Sequence, residues 1–496
     1  MATLAAVDLG AQSGRVAVGR FDGERLSVTE VHRFDNVPVR TRGTLHWDVL
    51  RLYQNVLDGL RAAGREAGRV DSVAVDSWAI DFGLLDRAGR LLQNPVHYRD
   101  GRRARAMESV LQRVPARELY ERTGIQLMPI NTLFELGAMA ADGDAALAVA
   151  DTLLLIPDLM HYWLCGARSS EFTNATTTQC FDPRAGGWAT DLLERVGVPA
   201  SVLPEVVRPG TRLGRLSREV ADDTRLDDAE VIAAATHDTG SAVAAVPLRG
   251  PASAYVSAGT WSLVGVEVRE PVITDAAFAA NLTNEGGVDG TFRLLRNVTG
   301  LWLVHECRRA WALEGHEYSF DQLVALAKEA PPLRSFVEPN DPAFADPGDM
   351  PARVRAFCAH TGQAEPVEPG AVVRCILESL ALKHAQTVEL LAAVTGTTPD
   401  VIHVVGGGAR NELLCRWTAD AAGLPVVCGP EEATLLGNLL VQAMALGEVA
   451  SLSDAREIVA ASITAPSYDP EETAAWQEAR ARFAETISLP NLEVHA

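Results

Sequence analysis

Lysine is almost absent from this sequence, which has only Lys328 and Lys383 in 496 residues. Neither follows a glycine, so the GxxxxGK phosphate loop is excluded. Positive charge as a whole is short, with 44 Lys and Arg against 65 Asp and Glu and a formal net charge of -21. No basic field is available to attract a polyanion, which argues against nucleic acid as a partner. The seven cysteines (165, 180, 307, 358, 375, 415 and 428) show neither a CxxC pair nor a zinc-type spacing and read as reduced thiols. No apolar stretch approaches the roughly 18 residues of a membrane helix. The N-terminus lacks a basic region and places Asp8 inside its first apolar run, unlike a signal peptide. A cytoplasmic location with no membrane partner is the expectation.

What is present fits a globular chain, with 47% hydrophobic and 22% charged residues and no long biased tract. The length exceeds one core, so two domains are expected. Residues 4 to 18 read as a strand, a small-residue turn (Asp8-Leu9-Gly10-Ala11-Gln12-Ser13-Gly14) and a second strand. Residues 253 to 268 repeat that plan about half a chain later, around Ser257-Ala258-Gly259-Thr260-Trp261-Ser262. Such a repeat fits duplicated domains with a boundary near Pro247 to Pro251, and a chance likeness of two hairpins also fits. Strands are expected at about 72 to 75 and 80 to 85, and a helical stretch near Asp158 to Leu164. In the second half a buried-strand run at Val401 to Val405 leads into Gly406-Gly407-Gly408 and a helix over Asn411 to Ala422. A strand at Pro425 to Cys428 and a helix from about Thr434 to Leu446 complete an alternating α/β pattern.

Strand, glycines, helix is an order that cradles phosphates, because glycine lets backbone amides approach an anion. The same turns also occur as purely structural features. Other nucleotide motifs fail: Ala409-Arg410-Asn411 breaks the last position of GxGxxG, and Tyr98-Arg99-Asp100 lacks the asparagine of a protein-kinase catalytic loop. Phosphate must then be held by amides, hydroxyls, magnesium and Arg15. Asp8, closing a strand before the first turn, is placed to hold hydrated magnesium, and a turn-capping role fits it too. Asp238, between His237 and Thr239 after an apolar run, suits a general base acting on a hydroxyl, and equally a helix N-cap.

Val7 to Arg15 resembles the opening motif of the FGGY carbohydrate kinases, in the form found in members that act on rhamnulose. The likeness continues through Thr44 to Asp48, Ala74 to Phe82, Pro95 to Asp100, Gly124 to Gln126, Asn131 to Leu133 and Thr173 to Gln179. It then takes in His237-Asp238-Thr239, Ser257 to Leu263, Asn281 to Gly287 and Val404 to Asn411. The glycine turns are shared with the wider actin-like ATPases, whereas the His-Asp-Thr triplet and the Thr-Asn-Glu-Gly-Gly segment are specific to that branch.

The resemblance implies an α/β fold of two ribonuclease H-like, actin-like ATPase domains flanking a catalytic cleft. A sugar-binding domain would span 1–246 and a nucleotide-binding domain 247–450, with a helical segment over 451–496 packing back on the first. It implies transfer of the ATP γ-phosphate to the 1-hydroxyl of L-rhamnulose, with Mg2+ required, as a step of rhamnose catabolism. By the same carry-over Asp238 is the base, and Ala79, His237, Thr239 and Asn297 touch the sugar. Ala11, Gln12, Ser13, Gly14, Arg15, Thr260, His305, Gly406, Gly407 and Gly408 touch ATP. Two positions depart from the family pattern: Ala79 replaces a sugar-contacting glycine and His305 a nucleotide-contacting glutamine. The rivals are a related kinase for L-fuculose or L-xylulose, and a non-catalytic actin-like ATPase, in which Asp238 would have no use as a base.

Overall fold

The computed structural model describes residues 2–248, 252–463 and 465–486. The chain divides into two compact units, the first taking the described residues of Met1–Pro247, Glu267–Leu294 and Ala433–Thr464. The second takes those of Leu248–Val266, Leu295–Glu432 and Ala465–Ala496. The limits expected at 1–246 and 247–450 are therefore interleaved, because two later stretches of chain return to the first unit. Of the boundary expected near 247–251, residues 249–251 lie outside the described residues.

The first unit opens with β1 (Ala2–Leu9), β2 (Ser13–Phe21) and β3 (Leu26–Asp35) in antiparallel succession. Leu4, Ala5, Ala6 and Val7 of β1 are fully buried, as in a strand covered on both faces. Helix α1 (Val49–Ala67) follows, capped by Asp48, whose carboxylate accepts from the amide of Arg51 at 3.3 Å. Its buried residues Leu52, Val56, Leu60 and Ala63 fall on one face at helical spacing. β4 (Ser72–Ser77) then pairs parallel with β1. Helix α2 (Ile156–Cys165) supports β4, since His161 Nε2 accepts from the amide of Val75 at 3.1 Å. Burial pushes the pKa of His161 down to about 3, leaving the neutral ring that such an acceptor must be. With β5 (Thr211–Arg215) and β6 (Glu230–Ala233) the sheet order is β5-β6-β4-β1-β2-β3. Helix α3 (Asp238–Ala244) follows β6.

The second unit repeats this opening. β7 (Ser253–Ala258) and β8 (Trp261–Val268) form an antiparallel hairpin. After β9 (Thr283–Gly286), in the first unit, β10 (Phe292–Thr299) leads to α4 (Trp302–Leu313) and the 27-residue α5 (Pro369–Thr395). The buried Lys383 of α5 is matched by Glu338, 2.8 Å away. β11 (Val401–Val405) pairs parallel with β7 as β4 does with β1, so both units share one plan of hairpin plus parallel neighbour. α6 (Glu412–Ala422) and β12 (Val426–Cys428) complete the alternation. All seven cysteines are free, and the Cys375 thiol, held up chiefly by its contact with the thiol of Cys358, lies beside it.

The chain then rejoins the first unit through α7 (Ala433–Leu446) and α8 (Leu452–Ser462). α7 is apolar on nearly every side and packs on α3 so closely that a Cβ on Gly437 would lie 1.7 Å from Ser241 O. Only glycine allows that approach. α8 is tied down by Arg456, which meets Glu267 at 2.7 Å. The segment expected to return as a whole over 451–496 is split instead: β13 (Ser467–Tyr468) and α9 (Thr473–Thr486) join the second unit. The reason is local, because Asp420 of α6 accepts from the amides of Glu471 and Glu472, and Trp476 is buried beside Trp417. Residues 487–496 lie outside the described residues. Among the described residues no helix is long and apolar enough to cross a membrane.

Candidate active site

In the first unit the carboxyl ends of β1 and β4 bring two acids level, Asp8 opposite Asp76 in the parallel register. Arg15, facing Asp8 across the β1–β2 hairpin, donates to Asp8 Oδ2 from Nε at 2.9 Å and from Nη2 at 2.8 Å. The turn between them, carrying Ala11 and Gln12, is stapled by Asn36. Its amide donates to Gln12 O and its side-chain nitrogen to Gly10 O, each at 2.9 Å. Ser13 and Gly14 begin β2.

Among the described residues no arginine is paired with Asp76. Its Oδ2 accepts from Asn438 of α7, while no donor among the described residues reaches its buried Oδ1. Burial first, and then the negative charge of Asp8, push its carboxyl well above the ordinary carboxylate range. Sequence reading did not single out Asp76, although it lies within a quoted segment.

His237, Asp238 and Thr239 come together where α3 begins. Asp238 is the first residue of this helix and not its N-cap, a position that His237 holds. The segment is anchored from behind by Glu171, fully buried, which accepts from Thr236 N at 2.8 Å and Thr236 Oγ1 at 2.9 Å. Thr173 Oγ1 accepts from the amide of His237 at 3.2 Å. Asp238 Oδ1 accepts from the amide of Thr239 and from its hydroxyl at 3.1 Å, and His237 Nε2 lies 3.4 Å away. The Asp238 side chain keeps 31% of its surface open. Even so, desolvation raises its pKa, with the charge of Asp8 adding to the rise and His237 opposing it.

Ala79 lies just beyond β4, in a γ-turn. The amide of Asp81 donates to Ala79 O at 2.9 Å across Ile80, whose φ is +69°. This positive-φ γ-turn is rare and strained, the more so for a β-branched residue. The turn is held by Asp81, whose fully buried Oδ2 accepts from Trp47 Nε1 at 2.6 Å and Trp78 Nε1 at 3.0 Å. Arg103 pairs with its other oxygen. The strand expected at 80 to 85 therefore begins only at Phe82.

The remaining candidates lie in the second unit. Thr260, between β7 and β8, has its carbonyl bonded by the amides of Gly300 and Trp302, so the turn is locked to the start of α4. The glycines after β11 press on the same end of β7: a Cβ on Gly408 would lie 2.5 Å from that of Ala258, and Gly406, at φ +80°, 3.0 Å from Ala258 O. Gly407 is open to approach. His305, in the first turns of α4, stacks on Phe320 at 6.1 Å, and burial and then the charge of Arg308 lower its pKa. Asn297 lies near the end of β10, its carbonyl accepting from Asn340 at 3.3 Å. Thus Thr260, Gly406 to Gly408 and the start of α4 are gathered at one end of β7.

Comparison with known proteins decides the family. Residues 3–245 match the N-terminal domain of the FGGY family of carbohydrate kinases, and residues 254–446 its C-terminal domain. This chain is an FGGY carbohydrate kinase. It is 42% identical over 482 residues to a rhamnulokinase of Bacteroides thetaiotaomicron, covering 97% of this chain and 99% of that protein. A rhamnulokinase of Enterococcus faecalis is 39% identical, with 94% of both covered. Among solved structures, a ligand-bound xylulose kinase from Lactobacillus acidophilus superposes with a TM-score of 0.81 at 16% identity, over 99% of each chain. A xylulose kinase from Rhodospirillum rubrum gives 0.78 at 18% identity, over all of both chains. The two-domain FGGY kinase fold is therefore shared at low identity, and the kinase acts on a sugar with ATP as co-substrate.

Proposed function

We propose that this FGGY kinase transfers the γ-phosphate of ATP to the 1-hydroxyl of L-rhamnulose in the cytoplasm, as a step of rhamnose catabolism, with Asp238 as the general base. The choice of sugar rests on near full-length likeness to rhamnulokinases, and the role of Asp238 on its geometry. The observation that carries it is the division of labour between the carboxylate oxygens: Oδ1 takes the Thr239 donors, while no hydrogen bond from another group among the described residues falls on Oδ2. A raised pKa strengthens a base, and a partly open side chain gives a hydroxyl access. As the oxygen–phosphorus bond forms, the hydroxyl proton passes to Asp238 Oδ2, and the bond from the γ-phosphorus to the bridging oxygen breaks with its electrons leaving on ADP.

His237, Thr239, Ala79 and Asn297 would contact the sugar. The turn from Ala11 to Arg15, Thr260, His305 and Gly406 to Gly408 would contact ATP. Held neutral by burial and Arg308, the imidazole of His305 supplies one hydrogen bond of the amide it replaces. Magnesium fits the acids present. Among the described residues no cluster of three or more His, Cys, Asp or Glu side chains forms a metal cage. Magnesium, however, takes one or two carboxylates together with water and phosphate oxygens. Asp8 would hold it, in a neighbourhood where the charge of Asp8 acts on both Asp76 and Asp238 and no donor among the described residues reaches Asp76 Oδ1. When bound, the ion neutralises charge on the phosphates.

The test is ADP release with ATP, Mg2+ and a panel of L-rhamnulose, L-fuculose and L-xylulose. L-Rhamnulose should give the highest kcat/KM. A higher value for another ketose would reassign the substrate.

A further inference from the structure

Arg293 is fully buried on β10 and belongs to the first unit. Its Nε donates to Gly286 O at 2.9 Å, and its Nη1 is ion-paired with Glu285 Oε2 at 3.2 Å. Its Nη2 lies 3.0 Å from Nδ1 of His237 and 3.5 Å from Thr173 O. Glu285 Oε2 is itself 3.3 Å from His237 Nδ1. Two arrangements compete here: a protonated Nδ1 would donate to Glu285, and a bare Nδ1 would accept from Arg293.

The guanidinium decides between them. It has five N–H donors, no acceptor and a charge it never loses in proteins, so an approach of 3.0 Å to a ring nitrogen is attractive only if that nitrogen is bare. Glu285 is then held by the charge of Arg293 and needs no proton from the ring. A neutral histidine with Nδ1 bare carries its hydrogen on Nε2, the nitrogen facing Asp238 Oδ1 at 3.4 Å.

From this geometry we propose that Arg293 is a positioning residue for phosphoryl transfer, fixing His237 as its Nε2–H tautomer so that the imidazole presents an N–H dipole to Asp238 Oδ1. Oδ1 then takes the Thr239 amide and hydroxyl and has the dipole of the imidazole N–H 3.4 Å away, and Oδ2 is the oxygen turned to the sugar hydroxyl. Arg293 acts through His237 and touches no reacting atom. In the other tautomer Nε2 would present a lone pair to the carboxylate, repel Oδ1 and leave the base free to swing. The functional part of this inference rests on the reading of Asp238 as base, whereas the tautomer does not.

The experiment is 15N NMR of histidine side chains in the full-length protein at neutral pH, with the ring of His237 assigned by its loss in His237→Asn. The wild type should show the proton on Nε2 and a bare Nδ1; a proton on Nδ1 overturns the proposal. Arg293→Lys keeps a donor and should keep the tautomer. Arg293→Gln combined with Glu285→Gln removes both charges together and should shift the ring toward Nδ1–H. In that double variant kcat should fall by roughly 10 to 100-fold, as for loss of a group that orients a catalytic side chain, with KM for ATP within about twofold. An unchanged tautomer and kcat there would remove Arg293 from the role. Should the double variant not fold, the wild-type and Arg293→Lys spectra still decide. If Asp238→Asn instead kept full turnover, the base assignment would fall while the tautomer stood.

Discussion

Asp8 and Asp76 sit level on the parallel strands β1 and β4, and Asp8 is paired with Arg15, with Nη2 at 2.8 Å, whereas among the described residues no cation is paired with Asp76. Asp76 is left with one amide donor and a bare buried oxygen. Such an acid costs the fold free energy whenever it is ionised.

A pH-dependent stability difference follows. The folded-state pKa of Asp76 is raised above 3.8, so the folded chain holds a proton where the unfolded chain has lost it. Its contribution to stability therefore falls as pH rises from 3.8 through the raised value. Asp76→Asn keeps an acceptor for Asn438 and removes the charge. The variant should have a higher Tm than the wild type at pH 7, with the gap closing as pH approaches 4. Parallel Tm profiles across that range would show that Asp76 is not strained by its charge.

For Asp238, a base must be ionised to act, and its pKa is raised by burial. Turnover should therefore fall as pH is lowered through that raised value, giving an acidic limb above 3.8 in kcat/KM for the sugar. Asp238→Asn should lower kcat by roughly 100-fold or more while sugar binding by calorimetry survives. Turnover within about threefold of wild type would exclude Asp238 as the base.

Much of this was legible because it is local. Both hairpins, the glycine turn after β11 and the helix after it are written in short runs of apolar and small residues, and the structure places them within a few residues of expectation. The neighbours that organise His237 and Asp238 were not legible in that way. Glu171 precedes Thr236 by 65 positions and Arg293 follows His237 by 56, so only the tertiary fold brings them together. The segments Thr173 to Gln179 and Thr283 to Gly287 stood out in the sequence, but nothing local said that Thr173 and Glu285 would face the same histidine. At Ile80 the propensity itself misleads: a β-branched residue reads as strand, and the grip of Trp47, Trp78 and Arg103 on Asp81 overrides it. The tail shows the same limit, since α8 joins the first unit and α9 the second, and nothing local to either helix says which surface it will meet.

The contact of α7 with α3 yields a third expectation. Gly437→Ala would set a methyl group 1.7 Å from Ser241 O, a backbone atom that cannot move without moving α3. Overpacking of this kind costs about 1–3 kcal/mol. Urea denaturation should show that loss, and kcat should fall with it, because Asp238 is the first residue of the helix being pushed. A variant with native stability and native kcat would mean that α7 yields and α3 is not positioned by it.

Ala79 offers the sharpest test of selectivity. The γ-turn that carries it is fixed by its own hydrogen bond, by Thr132 Oγ1 donating to Ile80 O at 2.7 Å, and by the buried anchors of Asp81. Replacing Ala79 by glycine should leave that backbone in place and remove only a methyl group from the proposed pocket wall. If the methyl crowded the sugar, its removal would raise kcat/KM for L-rhamnulose; if it fills a gap, efficiency falls and other ketoses are admitted. The second outcome is expected, because a turn held this rigidly cannot withdraw from substrate, so the pocket must already accommodate the alanine. The change should reach at most roughly 10 to 200-fold, the range for one methylene-sized difference in a pocket. Measuring kcat/KM for L-rhamnulose and L-fuculose in wild type and Ala79→Gly gives the ratio that decides, and a ratio equal within error would remove Ala79 from the pocket wall.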